Sequence, residues 1–473
     1  MPKPAPLQKT LFGPWSIDML TLLAFVVALG LLIAIHEYGH YKVAVLCGVK
    51  VLKFSIGFGK PIYSWRLKGK PTEFSIGMLP LGGYVKMLDE REAPVDAAER
   101  HMAFNTQPLG YRAAVVAAGP IANLLLAIFL YSILNWSGLQ EPKAVLASPI
   151  AGSVAEKAGL RGMELVKKAG FEDEAMEQVR SFEDLRWRLM QGALNGRNLR
   201  LVVSSNLSDT NPATREVLLV FQGFNASEVD GQFFRNIGIV GPLTTPVIGT
   251  VVAGGPAAKA GLQAGDLVRR VGQTLIVDGQ QLRQMIRNSG NPANAIQTWQ
   301  IDRGGKVLDV QITPRIVSEG KISLAKIDAS VGAPPEFITV RYGVFEGLWH
   351  GVTRTWESSI LTLKMMGKML LGEVSLKNLS GPLTIADYAG KSASIGLTAY
   401  LLFLAAISVS LGVLNLLPLP VLDGGHLMYY LWEAVTGKTV SEAWMEGLQR
   451  GGIAILLSMM SIALFNDVTR LFG

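Results

Sequence analysis

The chain has 473 residues, enough for two to four folding units, and it carries a formal net charge of +7 at pH 7. Its single cysteine, Cys47, excludes an intrachain disulfide and a cysteine-rich zinc knuckle. The basic residues gather beside apolar segments and form no stripe with interleaved aromatic side chains, so we predict no nucleic-acid partner.

Hydrophobic residues make up 49% of the chain and are concentrated in four runs. The mean hydropathy of +0.32 is high for a soluble enzyme. Apolar runs of about 20 residues are typical of membrane-spanning helices. We therefore predict a multi-pass α-helical membrane protein with four transmembrane helices, at residues 17–44, 113–137, 399–425 and 451–467. The fourth run is short and spans only with the help of flanking residues or a thinner bilayer.

The first apolar run leads directly into a cluster of ionisable residues. Residues 19–35 carry no charge, and His36, Glu37 and His40 follow within five positions. Two histidines four residues apart lie on one face of a helix and can bind one ion, with the glutamate beside them as a general base. Ionisable groups at membrane depth are costly, so a merely solvated helix face is a poor alternative. We predict a zinc site here.

The distribution of positive charge predicts the topology. The segment 41–112 contains eleven lysines and arginines, whereas the tail at residues 1–16, which we expect to be flexible, has only two lysines. The excess of positive charge favours a cytoplasmic location for residues 45–112. The histidines then lie at the cytoplasmic end of the first helix, and the middle of the chain lies outside.

Two segments of this cytoplasmic loop are apolar, rich in glycine and too short to span. Residues 54–59 and 74–85 alternate like strands, and their glycines permit close backbone approach. We interpret them as a membrane-associated, re-entrant β element beside the metal site; the alternative is an ordinary cytoplasmic hairpin. Its candidate substrate-binding residues are Gly57, Gly59, Gly82 and Gly83.

The second predicted span contains Gly119, Pro120 and Asn123. Small residues allow close helix contact, and an amide inside a membrane helix requires a polar partner. We expect Asn123 to support the metal site.

The middle of the chain contains an internal repeat. Residues 152–160 and 254–262 match in character at an offset of 102 residues, which is a domain length. Each copy predicts a short helix, a tight glycine turn, an apolar strand, a longer helix and further strands. The pattern resembles tandem α+β PDZ domains, at 141–242 and 243–316. The first copy lacks the Gly265-Asp266 pair of the second. PDZ domains bind extended peptides at a sheet edge; the alternative is a steric cap that binds none.

Residues 317–398 contain large apolar side chains at helical spacing, interrupted by charges such as Arg354 and Lys364. This pattern favours an amphipathic helix on the outer membrane face over a fifth span. Residues 426–450 are predicted to form a cytoplasmic loop.

A catalytic zinc ion usually has three protein ligands. The candidates for the third ligand are His101, His350, Asp423, His426 and Glu433. The predicted topology places His350 on the opposite side of the membrane, and His101 lies in a hydrophilic loop. Asp423 directly follows an apolar run and reaches the same depth as His40. His426 remains possible on spacing.

The motif His36–His40, together with residues 415–425 (Asn-Leu-Leu-Pro-Leu-Pro-Val-Leu-Asp-Gly-Gly), resembles the site-2 protease family of intramembrane zinc metalloproteases. Within it, the chain is similar to the branch with tandem PDZ domains that regulates a sigma factor. The resemblance implies that Zn²⁺ is held by His36, His40 and Asp423 and that Glu37 is the catalytic base. It also implies substrate contacts at Asn415, Pro418 and Pro420.

The resemblance further implies a bacterial inner-membrane protease with periplasmic PDZ domains. Its substrate is expected to be a single-pass, anti-sigma-factor-like membrane protein whose external domain has already been trimmed. A membrane-anchored PDZ scaffold without catalysis and a metal-ion transporter are the alternatives from other classes. The first needs none of the metal-site residues, and the second typically has more spans and no peptide-binding modules.

Overall fold

The computed structural model describes residues 19–205, 213–222, 233–289, 296–319, 322–371 and 380–472. The predicted tail at 1–16 lies outside these ranges. The contacts divide the chain into two compact units. We call Met1–Gly138 with Arg341–Gly473 the membrane unit, and Leu139–Val340 the central unit.

The elements follow one another along the chain. The first part of the membrane unit contains α1 (Met19–Leu46), β1 (Val51–Arg66), β2 (Glu73–Met87), short 3-10 turns at Arg100–Met102 and Phe104–Thr106, and α2 (Leu109–Ser137). The central unit contains β3 (Leu139–Pro142), α3 (Val154–Lys157), β4 (Leu165–Phe171), β5 (Glu177–Gln178), α4 (Phe182–Asn195), β6 (Leu199–Ser204), β7 (Thr214–Leu219), α5 (Phe233–Ile237), β8 (Ile248–Val251), α6 (Pro256–Lys259), β9 (Leu267–Val271), β10 (Thr274–Leu275), α7 (Gly279–Asn288), β11 (Gln297–Arg303), β12 (Lys306–Ile312), β13 (Arg315–Glu319), β14 (Ile322–Lys326), β15 (Ala329–Val331) and β16 (Phe337–Val340). The membrane unit ends with α8 (Val344–Leu370), α9 (Pro382–Ile395), α10 (Leu397–Asn415), α11 (Asp423–Thr436) and α12 (Glu442–Phe472).

Four helices in the described part of the chain are long and apolar enough to cross a membrane: α1, α2, α10 and the stretch Ala443–Thr469 of α12. The number and order of spans confirm the prediction. Three of these helices share a packed core, to which α1, α2 and α10 contribute Ala28, Leu32, Leu130, Leu404 and Ala405.

The last part of the chain differs from the prediction in two ways. The third span, expected to continue to residue 425, ends at Asn415, because Pro418 and Pro420 interrupt the helix. The expected loop at 426–450 is largely helical, since α11 begins at Asp423 and α12 at Glu442. The fourth span is therefore not short: α12 extends well beyond the apolar run on both sides.

Helix α8 packs against α2 through small residues. A side chain at Gly347 would meet Trp136, and one at Gly351 would meet Ser132. Thr355, one turn further, is buried, whereas Trp349 and Trp356 are exposed. A helix is thus present where the sequence predicts one, and its two tryptophans are exposed.

Helix α9 packs on α1 and is held at its beginning by α12. The fully buried carboxylate of Asp467 accepts hydrogen bonds from the backbone N–H groups of Gly381, Leu383 and Thr384, at 3.0, 2.9 and 3.1 Å, and from the Thr384 hydroxyl. A carboxylate is favourable here because the free N–H groups and the dipole make a helix N-terminus positive.

Strands β1 and β2 are both bent and form one small sheet. The first half of β1 pairs with the end of β2, as in Val51 with Met87. The second half of β1 pairs with the beginning of β2, as in Arg66 with Glu73. Phe54 pairs with both Val85 and Phe74, so the first half of β1 lies between the two halves of β2. The second half of β1 is consequently an outer edge.

The central unit contains the expected repeat. Its two four-stranded sheets have the orders β5-β4-β6-β7 and β10-β9-β11-β12. Each copy has a short helix, a glycine with positive φ (Gly159 or Gly261), and a longer helix capped by a side chain. Ser181 caps α4, and Asp278 caps α7.

The second copy extends beyond its predicted end at residue 316. Strand β15 pairs with β8 at the beginning of that copy, and the terminal strands β3 and β16 pair with each other. The first part of the predicted membrane-surface region, 317–398, therefore belongs to the central unit.

The first copy has Glu164 at the position of Asp266 in the second copy, and the two carboxylates make similar contacts. In the second copy, Asp266 is buried and accepts hydrogen bonds from the Gln263 N–H and the Arg303 guanidinium. In the first copy, Glu164 accepts a bond from the Arg161 N–H and pairs with Arg215. A longer carboxylate thus performs the same local role.

We expect Asp266→Asn to lower the free energy of unfolding of the central unit by about 1.5–3 kcal/mol, the usual value of hydrogen bonds to a charged group. Burial opposes ionisation of Asp266, but the bonds from Arg303 and Gln263 outweigh it and hold its pKa below the ordinary value. This stabilisation is complete above about pH 3.9, the pKa of an aspartate in the unfolded chain. It is lost as the pH falls through the lower pKa that Asp266 has in the folded protein. Pulse proteolysis in urea at several pH values should show that the free energies of unfolding of the parent and of Asp266→Asn approach each other in acid. A difference between them that grows in acid would contradict this prediction.

Candidate metal centre

Helices α1 and α11 bring three potential ligands together. His36 and His40 lie one turn apart on α1, with their Nε2 atoms 3.1 Å apart. Asp423 is the first residue of α11, and its Oδ2 lies 3.2 Å from His36 Nε2 and 3.5 Å from His40 Nε2. Among the described residues, these three form the only His, Cys, Asp or Glu group arranged to hold a metal ion.

The arrangement fits zinc. Ligand atoms bound tetrahedrally to Zn²⁺ at about 2.0–2.1 Å lie about 3.3 Å from one another. The three measured separations, 3.1, 3.2 and 3.5 Å, agree with that spacing. Two imidazoles and one carboxylate are also a usual donor set for a catalytic zinc ion, which leaves a fourth position open.

Helix α2 leaves room for an ion at this point. A Cβ atom at Gly119 would lie 2.2 Å from His40 Nε2 and 2.8 Å from His36 Nε2. Any side chain at this position would therefore occupy the space between the ligand atoms. Gly119 was noted in the sequence for helix packing, but its contact with both histidines depends on how α1 and α2 cross.

The backbone of α2 orients one of the two rings. His40 Nδ1 lies 2.8 Å from the carbonyl oxygen of Val115. A carbonyl only accepts, so Nδ1 carries the proton and Nε2 keeps its lone pair for the metal. Nothing in the sequence indicates this contact, because it involves a main-chain atom.

Asn123 orients the other ring. Its Nδ2 lies 3.4 Å from His36 Nδ1, while its Oδ1 is buried without a hydrogen-bond partner. Rotating the amide by 180° places Oδ1 where it accepts a hydrogen bond from a protonated Nδ1, and this leaves the lone pair of His36 Nε2 free for the metal. The backbone at Asn123 is itself anchored, because its main-chain carbonyl accepts a 2.7 Å hydrogen bond from the Ser408 hydroxyl of α10. We therefore assign the rotated amide.

We expect Asn123→Ala to weaken zinc binding about 10- to 100-fold, as is usual when a partner of a ligating histidine is lost. Asn123→Asp retains an acceptor for His36 and should bind zinc nearly normally. Competition between the metal-free protein and a chromogenic chelator measures the affinity. Ser132→Ala is the control, since this buried α2 hydroxyl donates its hydrogen bond within its own helix, to the carbonyl of Ile128. Unchanged affinity in Asn123→Ala would rule out the assigned contact.

An ion pair docks α11, and with it Asp423, against α2. Arg112 Nη2 lies 2.6 Å from Glu433 Oε1, and both side chains are largely shielded from solvent. The Arg112 guanidinium also lies 5.1 Å from the centre of the Tyr430 ring. Glu433, a candidate third ligand from the sequence, thus holds the helix that carries Asp423.

Glu37 lies on the wall of a cavity of about 420 Å³ that also contains His40 and Asp423. Strand β2 approaches it closely, since a Cβ atom at Gly83 would lie 2.8 Å from the Glu37 Cγ atom. The glutamate is thus placed between the potential ligands and the backbone of the sheet.

The remaining predicted site residues do not belong to the group of potential ligands. His426 lines the same cavity but does not belong to the ligand group. Gly82 contacts the Phe58 ring, Gly57 lies against the backbone of Gly77, and nothing lies within 4 Å of a Cβ atom at Gly59. Asn415, Pro418 and Pro420 lie at or beyond the end of α10, in the connection that leads to Asp423. His101 lies in a 3-10 turn, and His350 is on α8 beside the Tyr342 ring.

We expect about one zinc ion per chain, and a sharp loss of zinc in His36→Ala, His40→Ala and Asp423→Ala. His426→Ala should retain it, because His426 shares the cavity but not the cluster of ligand atoms. Elemental analysis of the purified variants makes the comparison. Full zinc content in Asp423→Ala together with loss in His426→Ala would reverse the assignment of the third ligand.

The site is of the kind that metallopeptidases have, and two of its three potential metal ligands lie on an apolar helix. Peptidase family M50 matches residues 24–459. The regulator of sigma-E protease RseP of Escherichia coli is 39% identical over 468 residues, covering 95% of this chain and 98% of its own length. RseP of Salmonella typhimurium is 39% identical over 463 residues, with 95% and 98% covered, and the regulator of sigma E protease of Haemophilus influenzae is 37% identical over 461 residues, with 97% and 99% covered.

The chain therefore belongs to Peptidase family M50, the site-2 protease family. It is a zinc metalloprotease of the membrane, as the sequence predicted.

Proposed function

We propose that this chain cleaves single-pass membrane proteins within or near the bilayer, with Zn²⁺ held by His36, His40 and Asp423 and with Glu37 as the general base. The observation that carries the proposal is the convergence of three potential ligand atoms 3.1–3.5 Å apart: two imidazole nitrogens on a helix apolar enough to cross a membrane, and one carboxylate oxygen at the start of α11. A catalytically silent scaffold would not require this geometry.

Zn²⁺, when bound, supplies a Lewis acid that activates water and polarises the scissile carbonyl. Glu37, beside the ligands, accepts a proton from the attacking water and donates it to the leaving amine. Gly119 keeps the space at the ligand atoms open, and Val115 and Asn123 keep the imidazoles in the required tautomer.

The bent sheet is the proposed substrate platform. A peptide bond inside a membrane helix is shielded by hydrogen bonds of its own helix, so the substrate must unwind locally. An unwound segment needs backbone partners, which a strand edge supplies. Gly83 lies against Glu37, and Gly82 precedes it in the same strand. Gly57 and Gly59 lie where β1 bends, before its second half, which is the outer edge. Asn415, Pro418 and Pro420 are proposed to contact the substrate from the other side.

The biological role follows from the relatives whose names refer to regulation of sigma-E. We propose that this chain releases an anti-sigma factor from the bacterial inner membrane in an envelope stress response. The excess of basic residues in 41–112 supports an orientation with the metal centre towards the cytoplasm and the central unit in the periplasm.

The two repeats of the central unit are proposed to be PDZ domains. Each has the order of elements expected from the sequence and contains a four-stranded sheet, and the second copy has an open cavity of about 710 Å³ next to Pro256 and Arg315. Peptides are candidates to bind at such grooves. Together the domains would act as a size filter that admits substrates only after external trimming.

A quenched peptide based on a membrane segment, assayed in detergent with the purified chain, tests the proteolytic function. Cleavage should require zinc, stop with a chelator and be absent in Glu37→Gln. If cleavage continues in the presence of the chelator and in Glu37→Gln, the activity belongs to a contaminant and the proposal is wrong.

Deleting most of the central unit tests the size filter, and the structure indicates where to cut. Lys143 N lies 2.9 Å from Glu336 O, next to the paired strands β3 and β16, so residues 144–335 can be replaced by a short glycine–serine turn. Full-length substrate should then be cleaved, with little change for trimmed substrate. If full-length substrate stays intact while trimmed substrate is processed, the domains are binders of a partner or peptide and not a filter.

A further inference from the structure

The turn between β1 and β2 combines positive charge with exposed aromatic residues. Residues 58–71 are exposed without interruption and contain no acidic residue. Four basic residues lie at or near the end of the sheet where Lys53 and Arg66 both pair with Glu73: Lys53, Arg66, Lys68 and Lys70. Glu73 lies 3.7 Å from Lys53 and 3.5 Å from Arg66. Within the described part of the chain, no acidic side chain pairs with Lys68 or Lys70.

Contacts with α1 define the depth of each end of the sheet. Helix α1 has 28 residues and is about 42 Å long, enough to cross the hydrocarbon core of about 30 Å and enter the headgroup layers. Gly83 contacts Ile33 and Glu37, which lie about 20 Å and about 14 Å along the axis from the end of the helix at Leu46. The Phe58 ring lies against Gly82 and therefore at the same deep level.

The turn lies at the opposite, shallow end. Thr72 donates a 2.9 Å hydrogen bond to the carbonyl of Val51, and Val51 follows Leu46 by only five residues. Val51 also packs in one core with Ala44, in the last turn of α1. Residues 67–71 are consequently level with the end of α1, where lipid headgroups surround a spanning helix.

Aromatic rings occupy the level between these ends. Tyr63 stacks on Trp65 with centroids 5.5 Å apart, and Trp65 stacks on Phe74 at 5.6 Å. Ile62 and Leu67 beside them are more than half exposed. Tryptophan and tyrosine are enriched at membrane–water interfaces, and basic residues there are attracted to anionic lipids.

We propose that this basic–aromatic turn, formed by Tyr63, Trp65, Arg66, Lys68 and Lys70, is a binding site for anionic phospholipid headgroups. The two lysines contact the phosphate groups, and the aromatic edge lies in the adjacent interface. Bound lipid then fixes the shallow end of the sheet whose deep end touches Glu37. The proposal depends on the sheet and the turn, not on proteolysis.

An environment-sensitive fluorophore reports on the turn directly. Leu67→Cys is labelled in a Cys47→Ser background, and the full chain is placed in nanodiscs of zwitterionic phospholipid with or without phosphatidylglycerol. We expect a blue shift with phosphatidylglycerol that is reversed in 1 M salt, where the screening length falls from about 10 Å at 0.1 M to about 3 Å. Lys68→Gln with Lys70→Gln should abolish the shift, and Lys68→Arg with Lys70→Arg, the matched control, should retain it.

Equal emission in both lipids overturns the proposal. A shift that appears only when a membrane-segment peptide is added also overturns it and assigns the turn to a protein partner. Zinc content of the glutamine variant checks its fold, and if that variant fails to fold, the salt titration of the labelled parent still decides. Because the readout is emission and not cleavage, failure here is distinct from failure of the proposed protease function.

Discussion

Glu37→Gln should lower cleavage by at least about 10²-fold while the zinc content stays at that of the parent, since loss of a general base typically costs that much or more. Glutamine keeps the size and polarity of the side chain but cannot accept the proton. The residue contacts the Gly83 backbone and lines the cavity beside His40 and Asp423, so an isosteric replacement should leave these contacts in place. Cleavage is measured with the quenched peptide, and zinc by elemental analysis.

Loss of both zinc and cleavage in Glu37→Gln would point to a ligand or structural role. Near-normal turnover would remove Glu37 from the mechanism. The control is His426→Gln, which alters a different side chain of the same cavity and should retain substantial activity.

Gly119→Ala should abolish both zinc binding and cleavage, although it adds only one methyl group. The new Cβ atom would lie 2.2 Å from His40 Nε2 and 2.8 Å from His36 Nε2, at the position of the ligand atoms. To accept it, α2 must move away from α1 or the imidazoles must rotate, and overpacking of this kind costs about 1–3 kcal/mol.

Gly110→Ala is the matched control for this variant. It makes the same change on the same helix, and nothing lies within 4 Å of its added Cβ atom. Zinc content and cleavage should be those of the parent, since alanine is also the better helix former. A fully active Gly119→Ala with normal zinc would mean that the ion lies elsewhere.

The sequence was sufficient for features that depend on spacing along one helix. His36, Glu37 and His40 are neighbours on any helix, so their grouping needed no tertiary information. The resemblance implied Asp423 as third ligand, and in the structure its Oδ2 lies 3.2 and 3.5 Å from the Nε2 atoms of His36 and His40. The contacts that orient the imidazoles could not be predicted from the sequence. His40 bonds to the main-chain carbonyl of Val115, and because every residue has such a carbonyl, no residue type marks the contact.

The contact face of α8 was also difficult to predict. The charges that interrupt its apolar pattern favour a helix on the outer membrane face, but they do not indicate which side contacts the protein. In the structure small residues make that contact, since a side chain at Gly351 would meet Ser132 of α2, while Trp349 and Trp356 are exposed. Small residues let two helix backbones approach closely, so side-chain size decides this contact more than hydropathy does.

The sheet and α11 depend on distant partners. The pairing of Phe54 with both Val85 and Phe74 requires two bent strands, and alternation alone does not specify such a register. Helix α11 begins with an aspartate, which suits a helix N-terminus, but the two glycines that follow weaken it as an isolated helix. Its ion pair between Glu433 and Arg112 joins positions 321 residues apart.

The carboxylate of Asp467 mechanically links the last span to the first. It holds the N-terminus of α9 through four hydrogen bonds, and α9 in turn lies on α1, where Gly390 contacts Thr21. Any sideways displacement of α12 in the bilayer therefore either carries α9 with it or leaves three backbone N–H groups without an acceptor. A chain shortened to end before Asp467 would keep almost the whole apolar part of α12 and still lose this coupling.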